Sequence, residues 1–257
     1  MEIQLFSKIK NKEYIDYQKI GKIDEIDKKN MYDIIKHNNY IIIDELKKKF
    51  KHHNSINLIG KGETAKYIDD AIAINQSLIF TNKKYLFIND FVSLFGIESY
   101  IKDIEYIFFP DYPHLGYMPR SIDFNYKNMI KYLDKYNFKG KIFIYQIQTT
   151  FSNIILNEFK FESTTTSDIP LRIFNYFLKI NNFELYGCGI GVLYHTDLKN
   201  IDFSSIANDN KYKKYYDSYI SKYYEIFNDK TTNYLENDMK NRMLKIGKVL
   251  DIKLNFN

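Results

Sequence analysis

The chain is short of the residues that staple or punctuate a fold. One cysteine, Cys188, stands among 257 residues, which excludes an internal disulfide and a cysteine-based zinc cluster. Four prolines and ten glycines leave no Pro/Gly-rich linker, and tryptophan is absent. Arginine occurs only at Arg120, Arg172 and Arg242. Arginine is the usual reader of base edges, so its scarcity argues against sequence-specific nucleic-acid recognition. No apolar run approaches the roughly 20 residues of a membrane-spanning helix. The opening MEIQLFSKIK has no secretory apolar region. A soluble, cytoplasmic protein is expected, with peripheral contact to a membrane surface left open. The net charge of +5 is modest and its signs are interspersed, so it demands no polyanionic partner.

What is plentiful is core material. Hydrophobic residues make up 45% of the chain and aromatic residues 17%. That fits one large α/β domain, or one domain with an appendage. Apolar runs at Ile56 to Ile59, Ala71 to Ile74, Tyr85 to Ile88, Glu105 to Phe109, Lys141 to Ile147, Phe183 to Cys188 and Leu250 to Leu254 read as strands. Thr64 to Asp70, Lys127 to Tyr136, Leu171 to Ile180, Tyr212 to Phe227 and Tyr234 to Ile246 read as helices. Strands alternating with helices at this spacing argue for a mostly parallel, doubly wound sheet over residues 56–257. Ser167 or Asp168 can cap the Leu171 helix, with Pro170 in its first turn.

Residues 1–55 precede that region as an N-terminal extension. Ile3 to Phe6 is a candidate strand, Ile23 to His37 has helical spacing, and Tyr40 to Ile43 is a second candidate strand. The basic run ELKKKFKHH, Glu45 to His53, reads as a solvated helix face. His52 and His53 are adjacent, cannot share a helix face as metal ligands would, and read as surface.

The strand Ile56 to Ile59 breaks at once into Gly60-Lys61-Gly62-Glu63-Thr64. A strand-to-helix glycine turn offers unpaired N–H groups and a helix dipole to a phosphate. Asn75, Asn89 and Asp90 follow the next two strands, at the edge where an open α/β sheet binds ligands. Two glycines make neither the three-glycine dinucleotide fingerprint nor a Walker loop. A tight turn with Thr64 as a helix cap accounts for the same residues without a ligand, and asparagine favours turns in any case.

Five features in order carry a resemblance: Gly60 to Thr64 after a strand, Asn75-Gln76, Asn89, the Thr166-Ser167 helix start, and Gly189-Ile190 before Tyr194. Over residues 56–257 the chain resembles the bacterial lipooligosaccharide sialyltransferases of glycosyltransferase family 42. The resemblance implies a Rossmann-like sheet, a variant of the GT-A architecture, with a helical lid. It implies a nucleotide-sugar donor, CMP-sialic acid, a glycan acceptor and no metal cofactor. By the same resemblance Gly60, Gly62 and Thr64 face the donor's phosphate and ribose, and Asn75 and Asn89 hydrogen-bond the donor. Thr166 and Ser167 bind it at the helix start, Gly189 admits the cytidine, and Tyr194 lies near the leaving phosphate. Neutral donors of this kind can stabilise a departing nucleotide.

Two family residues are missing. The base histidine aligns near Asn233, and the arginine before the Thr-Ser pair aligns with Thr164. His195, directly after Tyr194, is the replacement candidate for general base, and Arg172 stands eight residues beyond Thr164. His114, in PDYPHLGY, reads as a loop residue. Asp90 and Asp111 both follow strands but lack the D-x-D spacing of a metal pair. The tyrosines from Tyr212 to Tyr224 suit an acceptor lid or plain amphipathic packing. Two other functions stay open. One is a Mg/ATP-dependent pyrophosphokinase-like enzyme with Asp90 and Asp111 as ligands. The other is a non-catalytic nucleotide- or nucleic-acid-binding protein using the lysines of 47–51 and 211–214.

Overall fold

The computed structural model describes residues 25–60, 64–82, 84–88, 91–94, 96–111, 129–130, 132–147, 157–161, 167–188 and 232–257. Eight strands form one sheet: β1 (Ile56–Ile59), β2 (Ile72–Ile74), β3 (Tyr85–Phe87), β4 (Tyr106–Asp111), β5 (Lys141–Ile147), β6 (Lys160–Phe161), β7 (Asn182–Tyr186) and β8 (Lys253–Phe256). Every neighbouring pair is parallel. The helices are α1 (Glu25–Lys49), α2 (Asp168–Leu178) and α3 (Thr232–Leu250), with a further helical stretch within 129–135. This is an α/β fold.

The strand order is β6-β5-β4-β3-β2-β1-β7-β8. From β1 the chain steps outward through β6, then returns to the other side of β1 for β7 and β8. The winding direction therefore reverses between β1 and β7.

Strands buried on both faces read as continuous apolar runs rather than alternating ones, and YIFFPD of β4 and KIFIYQI of β5 are of that kind. On one face the rings of Phe87 and Phe108 stack at 4.0 Å between centroids. Phe174 of α2 lies against both, at 6.3 and 6.2 Å. Phe50, just past α1, meets Tyr85 and Phe174 at 5.3 Å each. On the other face Leu86 and Ile107 are fully buried as well, and short 3-10 turns lie at Asn75–Phe80, Phe91–Leu94 and Glu98–Asp103.

Leu250, expected to open the last strand, instead ends α3, and that strand starts at Lys253; local structure departs further from the sequence expectations at two places. From Glu25 on, the helical spacing expected over Ile23 to His37 and the candidate strand at Tyr40 to Ile43 are one continuous helix, α1. Its triple isoleucine is β-branched and strand-like by propensity. Yet Ile35, Asn39, Ile42, Ile43, Leu46 and Phe50 form a stripe of helical period, and all six are buried. Tertiary packing overrides a weak local preference. The basic run ends this helix as expected: Leu46 and Phe50 turn inward, while Lys47, Lys48, Lys49, Lys51, His52 and His53 are exposed.

The second departure is Thr64 to Asp70, expected as a helix. This segment is extended coil and turn. Ile68 forms a parallel bridge with Thr81 and donates its N–H to Phe80 O at 2.9 Å. Asp70 then turns the chain with φ +54°. Edge pairing and a left-handed turn take up the backbone groups that a helix would have used.

Polar clasps fasten α1 to the sheet. Glu45 accepts from the Tyr106 hydroxyl at 2.9 Å and pairs with Lys141. Lys49 pairs with Glu105 and lies 5.0 Å from the centre of the Tyr106 ring.

Candidate functional site

The carboxyl ends of β1 and β7 meet at the reversal, and two glycines make that meeting sterically feasible. Gly60 follows β1 and donates its N–H to Tyr186 O at 2.8 Å. A Cβ at Gly60 would stand 2.4 Å from Gly187 O and 3.2 Å from Cys188 Sγ. Gly187 follows β7 with φ +59°, a conformation that costs other residues roughly 1–2 kcal/mol. Its N–H donates to Thr64 Oγ1 at 2.9 Å, so one hydroxyl ties the two turns together.

The expected helix dipole for phosphate binding after β1 is not supplied by the described residues, because Thr64 to Asp70 is turn and coil. Both glycine N–H groups are also engaged internally, so the contribution of Gly60 and Gly187 is close approach rather than hydrogen bonding. Thr64 is not a helix cap either. It accepts from Gly187, and its own proton has no acceptor among the described residues. That proton leaves the hydroxyl able to donate one hydrogen bond at the junction of the two turns.

Cys188 closes the floor. It is buried, its thiol donates to Leu58 O at 3.7 Å, and burial pushes its pKa up to about 12. A thiol held protonated is inert as a nucleophile or metal ligand. Ser77 braces the neighbouring strand: its fully buried hydroxyl accepts from Ile74 N–H at 2.8 Å and donates to Ile59 O at 2.6 Å. The ends of β1 and β2 are thereby held at fixed spacing.

Asn75 opens the 3-10 turn after β2 with φ +53°, and its side chain is half-buried. Asparagine is enriched in the left-handed region, so the backbone alone gives a reason for this residue. Ser167 stands at the N-cap of α2 but makes no side-chain capping bond, which corrects the expectation that it caps the helix. Asp168 is the first helical residue rather than a cap, and Pro170 occupies the first turn, where its missing N–H leaves nothing unpaired.

Of the candidate residues, Gly60 and Thr64 come together with Gly187 at the reversal, and Asn75 stands at the end of the adjacent strand. Gly62, Asn89, Thr166, Gly189, Tyr194 and His195 lie outside the described residues, as do Asp90, His114 and the tyrosines from Tyr212 to Tyr224. Asp111 is the last residue of β4. Among the described residues no three His, Cys, Asp or Glu side chains gather as a metal-binding group. None of the described helices is long and apolar enough to cross a membrane.

Sequence reasoning missed Gly187 as the steric partner of Gly60, although the Gly-Cys-Gly at the end of β7 was visible. It also missed Ser77, for which a lone serine in an apolar turn gives no signal. Compared with known proteins, the chain matches no family model, no curated protein and no solved structure.

Proposed function

We propose that the β1–β7 reversal is the floor of a nucleotide crevice and that the protein is a glycosyltransferase resembling the CMP-sialic acid-dependent sialyltransferases. The fold on this reading is a Rossmann-like, doubly wound variant of the GT-A architecture. One observation carries it: Gly60 and Gly187 lie in backbone contact where the strand order reverses, tied by Thr64. In open α/β sheets ligands bind beyond the carboxyl ends of the strands at such a switch point. Contact between two glycine turns there leaves a smooth floor on which a flat base or ribose can lie. Thr64 then supplies a neutral donor, and Asn75 a second polar group one strand away. Tyr194 and His195 are assigned to the leaving phosphate and to deprotonation of the acceptor hydroxyl, and no metal is required.

The test is calorimetry with CMP, first in EDTA and then in Mg²⁺, with UDP, ATP and a short DNA duplex as controls. CMP binding that persists in EDTA and weakens in Thr64→Val supports the reading. Binding of ATP alone, and only with Mg²⁺, replaces it with a pyrophosphokinase-like enzyme. Binding of the duplex alone, with a steep salt dependence, replaces it with a nucleic-acid-binding protein.

A further inference from the structure

Two residues beyond Thr64, Lys66 places its ammonium 4.9 Å from the centre of the Tyr186 ring. Tyr186 is the last residue of β7 and pairs with Ile59 of β1, and its backbone carbonyl accepts the Gly60 N–H, so its ring stands on the sheet face next to the end of β1. Lys66 is exposed and has no carboxylate partner among the described residues. Glu184, two residues before Tyr186 and so on the same face of β7, is already engaged by Asn255 at 2.5 Å and Asn257 at 2.9 Å. A lysine is a flexible point charge, and docking over a tyrosine face restricts where that charge points. The result is a cation docked two residues beyond Thr64, with no ion-pair partner among the described residues.

We propose that Lys66 is the phosphate-binding cation of the crevice, positioned by Tyr186, and that the ligand it selects is a nucleotide rather than a nucleoside. This rests on the nucleotide-crevice reading above. The chemistry asks for such a group. A phosphate monoester or diester brings negative charge, and Thr64 to Asp70, the described segment after β1, is turn and coil and offers no helix dipole to meet it. Thr64 offers one neutral hydrogen bond, and Lys66 adds the charge-assisted one. A nucleoside carries no charge for Lys66 to meet.

Calorimetry of CMP and cytidine against wild type, Lys66→Ala and Lys66→Arg tests this. Wild type is expected to bind CMP more tightly than cytidine. Lys66→Ala is expected to weaken CMP about tenfold, the scale of one charge-assisted contact, while leaving cytidine unchanged. Lys66→Arg is expected to retain most of the CMP affinity, and Tyr186→Leu to lose part of it. Lys66 is exposed, so the melting temperature of Lys66→Ala should match wild type. Undiminished CMP binding in Lys66→Ala overturns the assignment alone, as does equal weakening of CMP and cytidine. Absence of binding by wild type to either compound overturns the assignment together with the crevice reading.

Discussion

The side chain of Asn39 stands in for a missing β-strand at Ile144. Its Nδ2 donates to Ile144 O at 2.7 Å, and Ile144 N–H donates back to its Oδ1 at 3.1 Å. On that side of β5 the two-residue strand β6 pairs only with Gln146 and Ile147. The backbone of Ile144 would otherwise be buried without partners. Asn39 is itself 1% exposed, so water cannot substitute for it. Truncation to alanine strands one buried donor and one buried acceptor, each costing about 1–3 kcal/mol. Asn39→Ala is therefore expected to lose about 2–4 kcal/mol in urea unfolding at pH 7. Asn39→Asp should fare no better, since a carboxylate would face the Ile144 carbonyl. A loss below about 0.5 kcal/mol would show that the edge is satisfied in some other way.

The helix that carries Asn39 belongs to the core rather than being an optional attachment. Ile35, Ile42, Ile43, Leu46 and Phe50 are buried against the sheet and α2. Burial of such side chains contributes about 1.5–3 kcal/mol each, so five together approach 10 kcal/mol. A domain of this kind has a net stability of about 5–15 kcal/mol. A chain beginning at Ser55 is expected to be insoluble or molten, with native-like far-ultraviolet and lost near-ultraviolet circular dichroism. A sharp, cooperative melt from that fragment would contradict the packing argument.

The reversal between β1 and β7 makes a sharper claim on two glycines. A methyl at Gly60 would press on a backbone carbonyl, which cannot rotate away as a flexible side chain could. Overpacking of this kind costs about 1–3 kcal/mol. Gly187→Ala instead adds left-handed strain of roughly 1–2 kcal/mol. Gly60→Ala is expected to lower stability and to abolish CMP binding by forcing the turns apart. Gly187→Ala is expected to lower stability by a similar amount and to keep weak binding. Thermal melts paired with calorimetry separate the two effects, and full CMP affinity in Gly60→Ala would detach the glycine contact from the binding site.

Much of the sheet was legible because its strands are short, apolar and bounded by polar punctuation. β5 is read from Lys141 to Ile147 on those signals alone. What was illegible required partners distant in sequence. Ile41, Ile42 and Ile43 look like a strand until Phe50 and Phe174 define a helical stripe. Thr64 looks like a helix cap until Gly187, 123 residues on, supplies the N–H it accepts. Ser77 and Asn39 are single polar residues whose roles exist only after the strand ends and edges are in place. The candidate site shows the same limit. The Gly60 turn is a local pattern and was visible, whereas its pairing with the Gly187 turn is a consequence of strand order.

Cys188 gives a reading of that floor without any ligand. Its thiol is raised to about 12 by burial, against about 8.5 for a free cysteine. Between those values the unfolded chain loses a proton that the folded chain keeps. Stability from this group is therefore fully present below about pH 8.5 and falls as pH rises toward the folded value. Between pH 8 and 9.5, below the ordinary tyrosine range, the loss comes to about 1 kcal/mol by the same linkage relation. Urea unfolding of wild type and Cys188→Ala across that interval should diverge by this amount, with wild type falling faster. In the native protein the thiol should resist iodoacetamide at pH 8 and react on unfolding. Parallel pH profiles together with rapid native labelling would mean that Cys188 is solvated, and the floor beneath Gly60 would then be open rather than closed.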